Sequence, residues 1–222
     1  MEQLFYIPIE PQIDKSEFEN LCYFVSEEKQ ACIKRYTSDI DKKLSLYSDL
    51  FIRLMLHRKF GISNDEIVIS IGKYGKPFVL NFPEFHYNIS HTRNAIAVAL
   101  SCKDVGIDIE RILNNQQKIA TRCFTADEYK YIYGEQSYQD RRFYEIWTKK
   151  EAYIKCVGKG LTMQLNSFNV LDSNSEFKCY SFLRDNYMIS ICGEYLSCEN
   201  YLIEIREYEF IQQLKLFFKS KQ

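Results

Sequence analysis

Gly106-Ile107-Asp108-Ile109-Glu110, followed downstream by Trp147-Thr148-Lys149-Lys150-Glu151-Ala152-Tyr153-Ile154-Lys155, pairs a strand pattern with a helix pattern in which acids and a lysine take corresponding faces. Residues two apart share a face of a strand, so Asp108 and Glu110 point the same way while Ile107 and Ile109 point the other. Residues four apart share a face of a helix, so Trp147, Glu151 and Lys155 form one stripe. A strand offering two carboxylates and a helix offering a third plus an ammonium can hold a hard divalent cation beside a phosphate; Mg²⁺ sites are built from a few carboxylates completed by phosphate oxygens and water. Each piece also has a plainer reading. Asp108 and Glu110 can be the solvent face of an amphipathic strand, and Glu151 and Lys155 a surface ion pair in the favourable order. Two like charges on one strand face repel unless a cation bridges them.

Outward from this stretch, 222 residues suit one large domain or two small ones. With 46% hydrophobic and 15% aromatic residues the chain can bury a substantial core. A formal net charge of −1 excludes a generally basic nucleic-acid binder. Lys29, Lys34, Arg35, Lys42 and Lys43 nevertheless cluster early, either as a local basic patch or as the solvated faces of two helices. The eight cysteines form no Cys-x-x-Cys pair and only three histidines accompany them, so zinc-ligand spacing is absent. Met1-Glu2-Gln3 opens no basic-then-apolar leader, and no apolar run approaches the roughly twenty residues of a membrane span. The expectation is a cytoplasmic protein whose cysteines are small buried hydrophobes, with neither nucleic acid nor membrane as partner.

Strands are expected at 4–9, 66–71, 85–90, 95–101 and 105–110, then at 167–171, 177–182, 188–192 and 201–207. Helices are expected over 16–36 with a break near Ser26, over 39–60 ending at Gly61, over 141–157 ending at Gly158 and Gly160, and briefly at the C-terminus. Leu46, Leu50, Phe51 and Leu54 make the buried stripe of the second of these. Thr125-Ala126-Asp127-Glu128 is a capping box opening a further helix. Both halves run helices first and strands afterwards, with a divide near 101–105, so the architecture is α+β with halves 1–104 and 105–222. No Walker A loop, Rossmann glycine fingerprint or Gly-x-Ser-x-Gly elbow is present.

Three further pieces carry polar chemistry. Gly72-Lys73-Tyr74-Gly75-Lys76-Pro77 is a turn that places Lys76 where it can reach an anion, or simply in solvent. Asn88-Ile89-Ser90-His91-Thr92 lies at a strand end and suits contact with phosphate, or ordering of a loop. Gly158-Lys159-Gly160 is either an anion-binding turn or a helix cap.

Taken together, Tyr74-Gly75-Lys76-Pro77, Asn88-Ile89-Ser90-His91, Gly106-Ile107-Asp108-Ile109-Glu110 and Trp147-x-x-Lys150-Glu151-x-x-x-Lys155-x-x-Gly158-Lys159-Gly160-Leu161 resemble the Sfp-type 4′-phosphopantetheinyl transferases in order and separation, over about residues 1–170. The resemblance implies a monomeric, pseudo-two-fold α+β protein of two similar halves with coenzyme A between them. Its reaction moves the 4′-phosphopantetheine arm of coenzyme A to a serine of an apo acyl or peptidyl carrier protein, releasing adenosine 3′,5′-bisphosphate. By the same resemblance Asp108, Glu110 and Glu151 hold Mg²⁺, Lys155 neutralises phosphate charge, and Glu151 is the candidate base. Lys29, Lys76, Ser90 and His91 grip the 3′-phosphate and adenine end. One departure stands out. The family arginine of the second helix falls on Leu44, leaving Lys43 or Lys42 as a substitute, a point charge in place of a fork. The resemblance also places carrier docking around 111–124, with Arg122 and Phe124 as candidates, Phe124 being equally suited to a core. A non-catalytic coenzyme A- or carrier-binding descendant is the rival reading; the intact Asp108, Glu110, Glu151 and Lys155 argue against it.

Overall fold

The computed structural model describes residues 3–114, 120–194, 196 and 202–219. The first half begins with strand β1 (Gln3–Pro8), four of whose six side chains are buried. Helix α1 (Lys15–Cys22) starts where the Asp14 side chain accepts from the Glu17 amide, and α2 (Glu27–Lys34) where Ser26 accepts from the Lys29 amide. Helix α3 (Asp39–Phe60) stops at Gly61, whose φ of 69° is the left-handed conformation that ends helices. Strands β2 (Ile69–Ile71) and β3 (Pro77–Val79) form a small hairpin, followed by β4 (His86–Thr92) and β5 (Ala95–Ser101).

The second half begins with β6 (Val105–Arg111), then α4 (Ala120–Cys123), α5 (Ala126–Tyr133) and the long α6 (Gln139–Val157). Strands β7 (Lys178–Arg184), β8 (Tyr187–Gly193) and β9 (Leu202–Glu204) precede the terminal helix α7 (Glu207–Lys219). Two larger sheets result, ordered β4-β5-β1-β9 and β6-β8-β7. All pairs are antiparallel except β1 with β9.

Strand β5 shows how the layers are held. Its Ile96, Val98 and Leu100 join α3 in one core, while Ala95, Ala97 and Ala99 face Val105, Ile107 and Ile109 of β6 in another. The period of two thus sends large side chains to the helix and methyl groups to the neighbouring sheet, letting the two sheets approach closely. Each half is a sheet with one long helix against it, α3 on the first and α6 on the second, which is the expected α+β architecture.

Several boundaries differ from the sequence reading. Strand β3 was not expected, because three residues opening on a proline leave little pattern to read. No strand forms at 167–171: the Leu165 and Phe168 carbonyls accept from the Lys150 ammonium, and the Val170 amide donates to Glu128. A buried ion pair, not a ladder, satisfies that backbone. The expected strand at 201–207 is reduced to β9, with residue 201 outside the described residues, and the terminal helix runs to 13 residues. Both return to the first half: β9 lies beside β1, and Phe210, Leu214 and Phe217 of α7 enter the core around α3. A boundary at 104/105 therefore divides the sequence without dividing that core. The described cysteines are all free; only Cys156 and Cys192 are buried, whereas Cys22, Cys32, Cys123 and Cys179 are partly buried and Cys102 is exposed, so the expectation of buried cysteines holds for two of them alone.

Candidate active site

Gly106 determines how close β6 and α6 come. A Cβ at this position would stand 1.9 Å from the Ala152 carbonyl oxygen and 2.4 Å from the Cys156 amide nitrogen. Only a residue without a side chain lets α6 settle onto β6 at this distance. The stripe Trp147, Glu151, Lys155 is thereby laid along the strand that carries Asp108 and Glu110. Trp147 anchors one end, stacked on Phe143 at 6.2 Å between ring centroids.

Lys155 does not pair with Glu151. Its ammonium lies 2.6 Å from Asp108 Oδ1 and also donates to Ser90 Oγ at 2.9 Å and the Ile107 carbonyl at 3.2 Å. Ser90 in turn donates to Asp108 Oδ1 at 2.8 Å. The plain reading of a surface Glu–Lys pair is thus displaced by an ion pair from α6 to β6 within the second half, joined by Ser90 of the first. Asp108 is 5% exposed, and its Oδ2 is buried with no hydrogen-bond partner. An unpartnered buried carboxylate oxygen costs free energy and marks a place for a cation.

Glu110 and Glu151 are both half-buried, and both carboxyls are pushed above the usual carboxylate range, first by burial and next by the charge on Asp108. Thr92 donates to Glu110 at 3.2 Å and partly offsets the shift. Glu110 thus feels the charges of Asp108 and Glu151, and Glu151 that of Asp108, in keeping with the like-charge argument from sequence. Among the described residues no three such side chains are already drawn to bonding distance around a single point.

The other expected residues divide into two groups. Lys76 lies on the turn before β3, donating to the Cys156 carbonyl and pairing with Asp104, each at 3.3 Å. It lines a cavity of about 210 Å³ with Tyr74, Asn88, Lys155, Gly158 and Gly160, so three of the four separated sequence motifs meet in one cleft. Gly158 and Gly160 both adopt positive φ, 72° and 56°, where the chain turns off α6 towards Tyr74. His91 is on the exposed side of β4, yet surrounding protein atoms, then Lys155 and Lys29, pull its pKa below the ordinary value. This shift favours the neutral imidazole near pH 7. Lys76 and Lys155 thus line the cleft, Ser90 accepts from Lys155, and His91 feels the charges of Lys155 and Lys29.

Lys43 is not. It is 2% exposed, donates to the Glu10 and Gln12 carbonyls at 2.7 Å each, and pairs with Glu207 at 2.6 Å. All three donors of the ammonium are committed. The expectation that Lys43 replaces the family arginine is corrected: it ties α3 to the N-terminal segment and α7. Leu44, at the position of that arginine, is 1% exposed and belongs to the core. Phe124 is likewise core, packed on Phe143 at 5.6 Å, while Arg122 is exposed. Residues 115–119 of the expected docking segment lie outside the described residues.

Three residues have supporting roles that the sequence does not show. Lys150 and Glu128, both 0% exposed, pair at 2.8 Å and hold the 165–170 segment against α6. The Asn88 side chain accepts from the Ile107 amide at 2.8 Å, fixing β4 beside β6. Glu128 had been read only as a capping-box acid, a role it also fills through its bond to the Thr125 amide.

Comparison with known proteins agrees with this geometry. Residues 104–206 match the family described as 4′-phosphopantetheinyl transferase superfamily, and residues 11–103 the one described as 4′-phosphopantetheinyl transferase, N-terminal. The chain is 34% identical to 4′-phosphopantetheinyl transferase gsp of Aneurinibacillus migulanus, over 99% of this chain and 97% of that protein. It is 33% identical to 4′-phosphopantetheinyl transferase psf-1 of Bacillus pumilus, over 90% and 97% respectively. To 4′-phosphopantetheinyl transferase Sfp of Bacillus subtilis it is 31% identical, over 76% of this chain and 75% of that protein. Matched along both halves, the chain belongs to the 4′-phosphopantetheinyl transferase superfamily and has 4′-phosphopantetheinyl transferase activity.

Proposed function

We propose that the cleft between β4, β6 and α6 performs this transfer with coenzyme A as donor, an apo acyl or peptidyl carrier protein as acceptor, and Mg²⁺ held by Asp108, Glu110 and Glu151. The observation that carries the reading is Asp108: a buried carboxylate with one oxygen on Lys155 and the other without a partner. Residues of this kind fit a hard cation, which prefers carboxylate oxygens and would relieve the repulsion among all three acids. When bound, Mg²⁺ supplies charge stabilisation on the pyrophosphate.

The chain's own residues do the rest. The serine oxygen of the carrier bonds to the phosphorus that bears the pantetheine arm, and the bond from that phosphorus to the bridging oxygen breaks. Adenosine 3′,5′-bisphosphate leaves with the bridging oxygen. The serine proton goes to Glu151, directly or through one water. Lys155 and Lys76, both lining the cavity, place positive charge where the pyrophosphate develops it, and such preorganised charge supplies most of the effect in phosphoryl transfer. Lys29 and His91 extend the basic lining towards the 3′-phosphate; His91, being neutral, serves as a hydrogen-bond donor. With Leu44 where the family arginine would be, that grip rests on Lys29, Lys76, His91 and Ser90.

This reading goes with a cytoplasmic monomer whose halves 1–104 and 105–222 supply, respectively, the 3′-phosphate grip and the acids. Among the described residues no helix is long and apolar enough to cross a membrane. The test is to incubate the protein with coenzyme A, Mg²⁺ and a panel of apo carrier proteins. A carrier mass increased by one phosphopantetheine group supports the reading; no gain on any carrier contradicts it.

A further inference from the structure

Strands β4 and β6 belong to different sheets, yet they are joined side by side by three side chains of β4. Asn88 Oδ1 accepts from the Ile107 amide at 2.8 Å, Ser90 Oγ donates to Asp108 at 2.8 Å, and Thr92 Oγ1 donates to Glu110 Oε2 at 3.2 Å. Positions 88, 90 and 92 share one face of a strand, so a single polar stripe meets successive residues of its neighbour. Side-chain bonds thus stand where a ladder of main-chain bonds would otherwise fix register. Two of the three end on carboxylates assigned to the cation.

We infer that Thr92 is a positioning residue, which orients the Glu110 carboxylate for the cation while Asn88 fixes the register of β6 beneath it. The inference rests on the proposed cation site. Thr92 is suited to the task because it closes β4. It pairs with Ala95 across a two-residue turn in which Arg93 holds a φ of 44°, a conformation disfavoured for a residue with a side chain. A strand end held this firmly presents its hydroxyl in one place. The bond leaves Glu110 with its second oxygen, Oε1, available to a metal. Hydrogen-bond partners of metal ligands commonly set ligand orientation in this way, and their loss weakens metal binding about 10- to 100-fold.

The test is calorimetric titration of Mg²⁺ into the full chain holding coenzyme A, with no carrier present, for wild type, Thr92→Val, Thr92→Ser and Glu110→Ala. Valine keeps the shape and removes the hydroxyl; serine keeps the hydroxyl. Thr92→Val is expected to bind Mg²⁺ about tenfold more weakly or worse. Thr92→Ser should bind within about twofold of wild type, since it restores the bond. Metal-free melting should move by no more than a few degrees in either, because Thr92 is only partly buried. Thr92→Ala gives the same reading should valine disturb the turn. Wild-type affinity in both Thr92→Val and Thr92→Ala, with weakened binding in Glu110→Ala, overturns the positioning role alone. Equal binding by wild type and Glu110→Ala overturns the cation site on which it rests.

Discussion

Lys155 reaches from α6 to Asp108 on β6, with Nζ 2.6 Å from Oδ1, and leaves Glu151, one turn earlier on its own helix, without an ion pair to it. A residue that spacing alone would pair locally is therefore a bridge to the strand of acids. Asp108 is nearly closed to solvent, whereas Lys155 keeps 29% of its side chain exposed at the cleft. The ammonium is placed to compensate Asp108 before the cation and substrate arrive.

Lys155→Ala should consequently lower both stability and rate. Removing the ammonium leaves a buried carboxylate with fewer partners, which costs about 1–3 kcal/mol. At this chain length that corresponds to a fall in Tm of roughly 2–4 °C for each kcal/mol. Added Mg²⁺ should restore part of the loss by substituting for the missing charge. Transfer should slow about a hundredfold or more, in line with the ~2–4 kcal/mol from a preorganised donor. Melting curves with and without Mg²⁺ check the first part, and initial rates the second. A variant that melts as wild type in metal-free buffer would show that Lys155 does not compensate Asp108.

Gly106→Ala should disrupt the site through packing. The added methyl meets backbone atoms of α6, which cannot rotate aside. Overpacking commonly costs 1–3 kcal/mol, and contact with backbone places this case at about 3 kcal/mol or above. The helix that carries Glu151 and Lys155 should shift, so activity should fall beyond what the loss of folded protein explains. Tm and the rate per folded molecule report the two effects separately.

Lys150 is a neighbour of Glu151 in sequence but has no place in the chemistry. Lys150→Met or Glu128→Gln alone should destabilise by roughly 3–5 kcal/mol, since each leaves its partner buried and uncompensated. Replacing both with apolar residues should recover much of that loss. Denaturant unfolding of the two single variants and the double variant measures the coupling, and additive losses would contradict it.

His91 supplies a pH dependence. Its folded pKa is below the ordinary value of 6.5, chiefly from its surroundings and then from Lys155 and Lys29. In the window between the two values the unfolded chain takes up a proton that the folded chain refuses. Stability from this group is therefore complete above pH 6.5 and declines as the pH falls through the window. His91→Gln should flatten the stability profile there relative to wild type. An unchanged slope just below about pH 6.5 would mean that His91 titrates as it does in the unfolded chain.

Much of this was legible in the sequence, for reasons that particular residues make clear. The alternation around Asp108 and Glu110, the glycine that ends α6 and the Ser26 and Thr125 caps are local signals, and local structure follows them. Gly106 went unread, although a glycine within a strand marks a close approach. The Lys155–Asp108 contact was not legible: it joins residues 47 apart and depends on the depth of helix packing. Lys43 was misread because the partners that occupy it, Glu10, Gln12 and Glu207, come from both ends of the chain. The segment 167–171 alternates like a strand, but its backbone is claimed by Lys150 and Glu128.

The measurement closest to the central claim is the Mg²⁺ dependence of carrier modification, followed by mass spectrometry, for wild type and Asp108→Ala. Wild type should convert apo carrier to the phosphopantetheinylated form with saturable dependence on Mg²⁺. Asp108→Ala should remain folded, because its loss also relieves repulsion on Glu110 and Glu151, yet convert at most about one hundredth as fast at any Mg²⁺ concentration. Near-wild-type conversion by Asp108→Ala at saturating Mg²⁺ would contradict the assignment of this cleft.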